Sequence, residues 1–154
     1  LGATAGLTTA SDFNTPNTSL TLLVDCTAND GAIIDSISLI SNQASMTSAK
    51  VIAFLSVAPT AASVTATNTL AVAFATLGSG LGDRVNMSLP ALCVPVPNLA
   101  SPAATASAYP SETDKKNTGI YVPSGATLFV GTSAAITAPS AASRVNVFAQ
   151  GGFF

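Results

Sequence analysis

Short apolar runs alternate with turn residues along most of the chain. The runs are rich in Val, Ile, Leu, Phe and Thr, and a helical repeat of apolar positions is weak throughout. In residues 84–92, for example, Val85 and Met87 are separated by a polar residue, which is typical of a strand with one buried face. We therefore predict about eight strands, at 20–26, 32–41, 49–57, 70–77, 84–92, 119–122, 127–132 and 144–150.

Turn residues separate the predicted strands. Residues 29–31 (Asn-Asp-Gly) and 122–125 (Val-Pro-Ser-Gly) contain residues that tolerate a positive φ or fix the first position of a turn. About eight short strands divided in this way are typical of two sheets that close over a shared apolar interior. The pattern predicts an all-β fold, an antiparallel β-sandwich that is jelly-roll-like.

Two segments lack the strand pattern. Residues 1–19 are rich in Thr, Ala, Gly and Asn and contain few large apolar side chains, so we predict an N-terminal arm. Residues 94–118 contain four prolines, which predicts a long proline-rich loop. We expect residues 20–154 to form a single β-sandwich domain. In an assembly, the arm and the loop would be natural places for subunit contacts.

Charged residues are scarce and histidine is absent. Only 8% of the chain is charged, whereas 48% is hydrophobic. An ordinary soluble domain has about 25% charged residues, and catalysis near neutral pH depends on His and on activated carboxylates, amines and thiols. We therefore predict that the protein is not an enzyme. A surface of hydroxyls, amides and aliphatic groups is instead typical of a subunit that neighbours cover in an assembly.

Neither nucleic acid nor a membrane is a predicted partner. Five basic residues stand against seven acidic ones, and the formal net charge is -2, so a phosphate-binding groove is not expected. Lys115 and Lys116 lie near Glu112 and Asp114, which predicts a solvated loop tip. Mean hydropathy is +0.53, but polar residues or glycines interrupt every apolar run before it could span a bilayer.

No pattern predicts a catalytic, cofactor or metal site. Asp25 and Asp30 offer oxygen ligands close in sequence, but their spacing matches no calcium loop. The glycine-rich residues 78–82 lack the following Lys and Ser or Thr of a phosphate-binding loop. Cys26 and Cys93 each lie among apolar residues, which favours buried free thiols, although a disulfide between them stays open. We predict no cofactor and no metal.

The last two aromatic residues are candidates for docking. They follow Gly151 and Gly152, which we expect to let the rings swing toward a pocket on a neighbouring subunit. Two aromatic side chains left in water would be unfavourable, so either docking or local packing is expected to cover them. The predicted interface residues come from the arm, the loop and the C-terminal aromatic pair, and they are Leu7, Phe13, Lys115, Lys116, Phe153 and Phe154.

Several segments share a pattern with a known class of proteins. Residues 119–133 contain a Pro-x-Gly turn before a strand, and residues 144–154 end in Ala-x-Gly-Gly and an aromatic residue. Residues 30–37, followed by 49–55, add an early hairpin. In these segments, which cover about half of the chain, the sequence resembles small head proteins of tailed bacteriophages, including cyanophages.

The resemblance implies a decoration or cement protein. Such a protein binds the outside of an icosahedral shell and clamps adjacent subunits of the major capsid protein. The resemblance also implies a homo-oligomer, with a trimer as the expected state, and an N-terminal arm that reaches over the capsid. The expected location is the virion surface, after assembly in the host cytoplasm.

Two other functions stay open from the residues. The first is a carbohydrate- or receptor-binding β-domain of a phage fibre or an adhesin. Sugar sites usually stack a ring on Trp or Tyr, but the chain has no Trp and only Tyr109 and Tyr121. The second is a hydrolase, for which the chain lacks an evident base to activate a hydroxyl nucleophile. The composition therefore favours the structural role over both.

Overall fold

The computed structural model describes residues 2–7, 20–41, 49–64, 68–77, 84–89, 119–132 and 145–154. These ranges contain nine strands and one short 3-10 helix at Ala61–Ser63. The strands are β1 (Gly2–Leu7), β2 (Thr21–Asp25), β3 (Gly31–Ser41), β4 (Ala49–Ser56), β5 (Thr69–Leu77), β6 (Arg84–Asn86), β7 (Ile120–Pro123), β8 (Thr127–Thr132) and β9 (Val145–Phe153).

The strands form two antiparallel sheets. The five-stranded sheet has the order β1-β9-β3-β6, and β7 also pairs with β3. The four-stranded sheet has the order β2-β8-β4-β5. This architecture confirms the predicted all-β sandwich. Each of the eight predicted strands has a counterpart among β2 to β9, although only residues 84–89 of the predicted 84–92 strand are described.

A single apolar core holds the sandwich together. Phe54 of β4 and Phe129 of β8 are register partners, and their rings stack with centroids 5.9 Å apart and an interplanar angle of 22°. Such a pair contributes about 1 kcal/mol beyond the burial of its area. The largest fully buried side chains of the core are Phe54, Phe74, Phe129, Ile34, Ile37, Leu39, Ile52, Leu128 and Val51.

The two sheets differ in how they meet solvent. In the five-stranded sheet, β3, β7 and β9 alternate between buried and more exposed positions over much of their length. In the four-stranded sheet, all six residues of β8 and residues 71–75 of β5 are buried. Both faces of these strands are thus withdrawn from water, and the outer face of the five-stranded sheet is the more open one.

Residues 84–89 link the two sheets along one side. β6 pairs with β3, and immediately afterwards Met87 N donates to Ile37 O at 2.8 Å. Ser88 then exchanges two backbone hydrogen bonds with Phe74 of β5, at 2.8 and 2.9 Å. The chain therefore passes from one sheet to the other here, and its hydrogen bonds connect β3 of the five-stranded sheet to β5 of the four-stranded sheet.

The predicted N-terminal arm is wrong for its first residues. Gly2–Leu7 is strand β1, which pairs with β9 from Gly2 opposite Gln150 to Leu7 opposite Val145. The prediction depended on large apolar side chains, which are few in this segment, whereas the strand is stabilised by backbone pairing with β9. Residues 8–19 and the predicted proline-rich loop at 94–118 lie outside the described residues.

Candidate functional site

Three turns and the end of β9 meet at one end of the sandwich. Ser56, the last residue of β4, pairs with both Thr69 of β5 and Thr127 of β8. In the other sheet, Ala32 near the start of β3 pairs with Phe153 at the end of β9. The connections β2–β3, β4–β5 and β7–β8 therefore lie at the same end.

Hydrogen bonds join two of these turns directly. Cys26 N donates to Ala126 O at 3.0 Å, and Gly125 N donates to Cys26 O at 2.8 Å. The β7–β8 turn is closed by Ala126 N, which donates to Pro123 O at 3.1 Å, and Gly125 has φ +79°, where a glycine fits best. The turns predicted at 29–31 and 122–125 are both present, and the hydrogen bonds of Cys26 with residues 125 and 126 link the β2–β3 and β7–β8 connections.

The carboxylate of Asp25 belongs to its own turn. Its Oδ1 accepts hydrogen bonds from Thr27 Oγ1 at 2.6 Å and from Thr27 N at 2.8 Å. These bonds lower the pKa of Asp25, and slight burial opposes them. The side chain of Asn29 donates to Asp25 O at 3.4 Å. Within the described ranges, no group of three or more His, Cys, Asp or Glu side chains is close enough to hold a metal.

Exposed apolar side chains concentrate at this end. The described residues include seven large hydrophobic side chains that are exposed, and six of them lie here, on β3, β7, the end of β9 and both sides of the β4–β5 connection. The seventh, Leu22, lies on β2. We call this end the apolar end, and its six exposed residues are Ile33, Val57, Leu70, Tyr121, Phe153 and Phe154.

A groove opens at the apolar end between the β4–β5 and β7–β8 connections. It has a volume of about 400 Å³. Val57, which is 73% exposed, and Leu70 form part of its wall. Its full lining is Leu55, Ser56, Val57, Asn68, Thr69, Leu70, Pro123 and Ala126. The groove is therefore mostly apolar, with a few hydroxyl and amide groups, which is the usual character of a binding surface.

Side-chain hydrogen bonds hold the wall of the groove, and those made by Thr127 and Ser56 are buried. The Thr127 hydroxyl lies 2.6 Å from Ala58 O and 3.2 Å from Ser56 O, and it donates to these carbonyls. Ser56 Oγ accepts from Ala58 N at 3.0 Å, and Asn68 Nδ2 donates to Ser63 O at 3.0 Å. These hydrogen bonds link the described residues of the β4–β5 connection to one another and to β4 and β8.

Two exposed rings flank Gly31. A Cβ atom at Gly31 would lie 3.4 Å from Tyr121 Cε2 and 3.6 Å from Phe154 Cδ2. It would also lie 2.9 Å from Val122 O, and φ is +138°, so a glycine is needed here. Phe154 N donates to Gly31 O at 3.1 Å and extends the ladder between β9 and β3. Tyr121 and Phe154 are 55% and 64% exposed, although their backbones are fixed.

The structure places the predicted interface residues in different environments. Phe153 and Phe154 are exposed at the apolar end, but Leu7 is only 2% exposed in the core, so it is not available as a surface contact. The expected hinge at Gly151 and Gly152 is also wrong, because both residues pair with β3 inside β9. Phe13, Lys115 and Lys116 lie outside the described residues.

Sequence reasoning missed four residues of the apolar end, namely Ile33, Val57, Leu70 and Tyr121. They come from separate strands and connections, and only the strand order brings them together. Alternation does place Ile33 opposite its buried neighbours on β3, and this was the one available indication of an outward apolar side chain.

Cys26 is a free thiol that is fully buried beside the β2–β3 turn. Burial raises its pKa, and the negative charge of Asp25 raises it further. The buried free thiol predicted for Cys26 is therefore confirmed, and Cys93 lies outside the described residues. In the described part of the chain, no helix is long and apolar enough to cross a membrane.

Known proteins give no guide to this site. Comparison with protein-family models, with curated proteins and with solved structures finds no match for the chain. The resemblance to phage head proteins therefore stays a prediction, and a proposal for function depends on the composition and on the surfaces described above.

Proposed function

We propose that the protein is a structural component of a virion that binds the outer surface of a phage capsid. It stabilises the shell by bridging adjacent subunits of the major capsid protein, and it does so without catalysis. The observation that carries the proposal is the apolar end, which contains six of the seven exposed large apolar side chains found among the described residues, in a chain with 8% charged residues. Such a concentration on a soluble surface marks a site for a protein partner.

The strand order supports this role. The order β1-β9-β3-β6 opposite β2-β8-β4-β5 is compatible with two Greek keys wrapped into a jelly roll, with β7 as an additional short strand. Jelly rolls occur in viral capsid and lectin domains. We therefore include a jelly-roll fold in the proposal.

Docking through the apolar end explains the scarcity of charge. Burying one large apolar side chain there contributes about 2 kcal/mol, so a few side chains suffice for a stable contact. A homo-oligomer, with a trimer as the expected state, would present several such ends to the lattice at once and multiply the affinity. The partner in this proposal is the major capsid protein.

The first experiment measures the copy number of the protein in purified particles. Mass spectrometry should find a fixed ratio to the major capsid protein. A trace amount that varies between preparations would contradict a bridging role. Because few charges take part, we also expect occupancy to change little between roughly 0.05 and 0.5 M salt, and release over this range would count against apolar docking.

A second experiment tests the surface itself. Val57→Ser and Leu70→Ser remove exposed apolar groups, and each should weaken binding to particles about tenfold. Leu22→Ser is the matched control, because Leu22 is exposed but lies outside the apolar end. All three variants should keep the melting temperature of the isolated protein. Equal losses of occupancy in the control and the two test variants would refute the assignment.

A further inference from the structure

The outer face of the five-stranded sheet carries a group of neutral polar side chains. On β3, positions 36, 38 and 40 point away from the buried positions 37 and 39. Ser36 pairs with Gln150, and Ser38 pairs with Phe148 on one side and Asn86 on the other. Ile40 pairs with Asn146. We call this surface the amide face, and its residues are Ser36, Ser38, Asn86, Asn146, Phe148 and Gln150.

The hydrogen bonds of the amide face leave donors unused. Ser38 Oγ donates to Asn86 Oδ1 at 2.8 Å, and Ser36 Oγ donates to Gln150 Oε1 at 3.4 Å. The two amide oxygens are thus occupied, whereas the NH₂ groups of Asn86 and Gln150 have no acceptor among the described residues. Gln150 is exposed, Ser36, Asn86, Asn146 and Phe148 are half-buried, and Ser38 in the middle of the face is buried. The face therefore offers amide donors to a ligand from solvent.

An exposed ring stands at one end of the amide face. Tyr121 pairs with Ile33, and both lie on the outer side of the sheet, next to the row that contains Ser36 and Gln150. Tyr121 is 55% exposed, and its ring lies beside Gly31, with the ring of Phe154 also near this glycine. An exposed ring beside amides and hydroxyls combines an apolar platform with hydrogen-bonding groups.

We propose that the amide face, with Tyr121, binds a neutral saccharide. A sugar ring presents C–H groups to an aromatic ring and vicinal hydroxyls to amides, and this combination matches the side chains present. Rows of side chains lie about 7 Å apart along the strands and about 5 Å apart across them, so an extended chain of sugars meets several rows. The donors sit on paired strands, which lowers the entropy lost on binding.

The chemistry favours a sugar over a protein partner. The buried centre of a protein interface is more apolar than the surrounding surface and is depleted of charged residues, whereas here amides and hydroxyls surround the half-buried ring of Phe148, and Ser38 beside it is buried. The described residues on and beside the face include one acidic and one basic position, the exposed Asp35 in the bulge of β3 and Arg84 on β6. Arg84 occupies the register position opposite Ile40, at the far end. A neutral ligand fits this arrangement better than an anionic one.

The inference goes beyond the proposed capsid role and does not depend on it. The test uses the isolated full chain in native gels that contain a soluble β-glucan, a mannan or a galactomannan, with an alginate gel as the anionic comparison. We expect at least one neutral polysaccharide to retard the protein. No retardation by any of the three, or retardation by alginate alone, would overturn the proposal.

Variants then locate the site in the gel that retards the protein. Gln150→Ala and Asn86→Ala each remove an amide donor and should weaken binding about fivefold to tenfold. Tyr121→Ala should weaken it about tenfold, and Tyr121→Phe should restore it because the ring is kept. Leu22→Ser, on the other sheet, should bind as the parent does. If Tyr121→Ala lowers the melting temperature, its loss of binding could come from a folding defect. The test then depends on Gln150→Ala, because Gln150 is exposed, and parent-like binding by this variant would refute the site.

The sugar site and the capsid contact fail separately. Gln150→Ala should lose retardation in the gel and keep its occupancy on particles, because Gln150 lies outside the apolar end. Loss of both together would contradict the separation of the two sites, because the amide face would then take part in the capsid contact as well.

Discussion

A Cβ atom on Gly151 would overlap the main-chain carbonyl oxygen of Ile33. The two strands approach this closely where β3 contains a bulge, between Ile34 and Ser36. Gly151→Ala must therefore push β9 away from β3, and we expect it to lower the free energy of unfolding by about 2 kcal/mol. In thermal melting this corresponds to a decrease of about 4–8 °C.

The adjacent glycine provides the control for that prediction. A Cβ atom on Gly152 would meet no atom within 4 Å. Gly152→Ala should therefore change the free energy of unfolding by less than about 0.5 kcal/mol. Similar melting temperatures for the two variants would show that the close approach of β9 to β3 at Gly151 does not affect the free energy of unfolding.

Two threonines on β8 should respond in opposite ways to the loss of a hydroxyl. The buried Thr127 hydroxyl donates to Ser56 O and Ala58 O, so Thr127→Val leaves buried carbonyls without this donor and should cost about 1–2 kcal/mol. Thr132 Oγ1 is buried and has no hydrogen-bond partner among the described residues. Thr132→Val should then be neutral, or stabilise by about 1 kcal/mol.

Urea denaturation of both variants gives the comparison. Each variant changes one hydroxyl to a methyl group of similar size on the same strand, so differences in packing largely cancel. A larger loss of stability for Thr132→Val than for Thr127→Val would mean that the hydrogen bonds at the groove wall do not stabilise the protein.

Leu7 distinguishes a strand from an arm at the start of the chain. Its side chain is buried in the core and β1 pairs with β9 over six residue pairs. Leu7→Ala should therefore cost about 3 kcal/mol in the free energy of unfolding. The exposed Leu22 supplies the control, and Leu22→Ala should cost less than about 1 kcal/mol. A mobile arm would make both substitutions equally mild.

The sequence pattern was sufficient for strands with large apolar side chains. Residues 127–132 were predicted with the bounds that β8 has, and the predicted 32–41 strand matches β3 to within one residue. These strands contain Ile, Leu, Val and Phe at core positions, so the alternation or apolar run is visible without any partner strand. β1 was missed because its sequence, GATAGL, has one large side chain and its stability comes from pairing with β9.

The candidate site was less accessible to prediction. Phe153 and Phe154 were identified by their chemistry, but the apolar end depends on which connections the strand order places together. Tyr121 and Phe154 flank Gly31 only because β7 and β9 lie on opposite sides of β3. The prediction of a hinge at Gly151 is wrong because the requirement for glycine comes from the bulge in β3. Nothing in the sequence of β9 itself indicates that bulge.

Cys26 should be inert in the folded protein at neutral pH. It is fully buried, and a thiol reacts with alkylating agents as its thiolate. Burial and the neighbouring charge of Asp25 raise its pKa above the ordinary value of 9.0, which keeps the thiolate population small. We expect iodoacetamide at pH 8 to modify Cys26 slowly in the native protein and rapidly in denaturant, as measured by peptide mass spectrometry.

The raised pKa also fixes the pH dependence of stability. The unfolded chain loses the Cys26 proton near pH 9, whereas the folded protein holds it to a higher pH, so the unfolded state binds fewer protons above pH 9. The contribution of this thiol to the free energy of unfolding is therefore complete below pH 9 and declines as the pH rises toward the folded pKa.

Cys26→Ala should remove that decline and leave a flatter profile of melting temperature above pH 9. Asp25→Asn should retain most of the decline, because burial is the larger cause of the shift and the charge of Asp25 is the smaller one. A parent protein whose profile is as flat as that of Cys26→Ala, or whose Cys26 reacts at the same rate with and without denaturant, would contradict a buried thiol at this position.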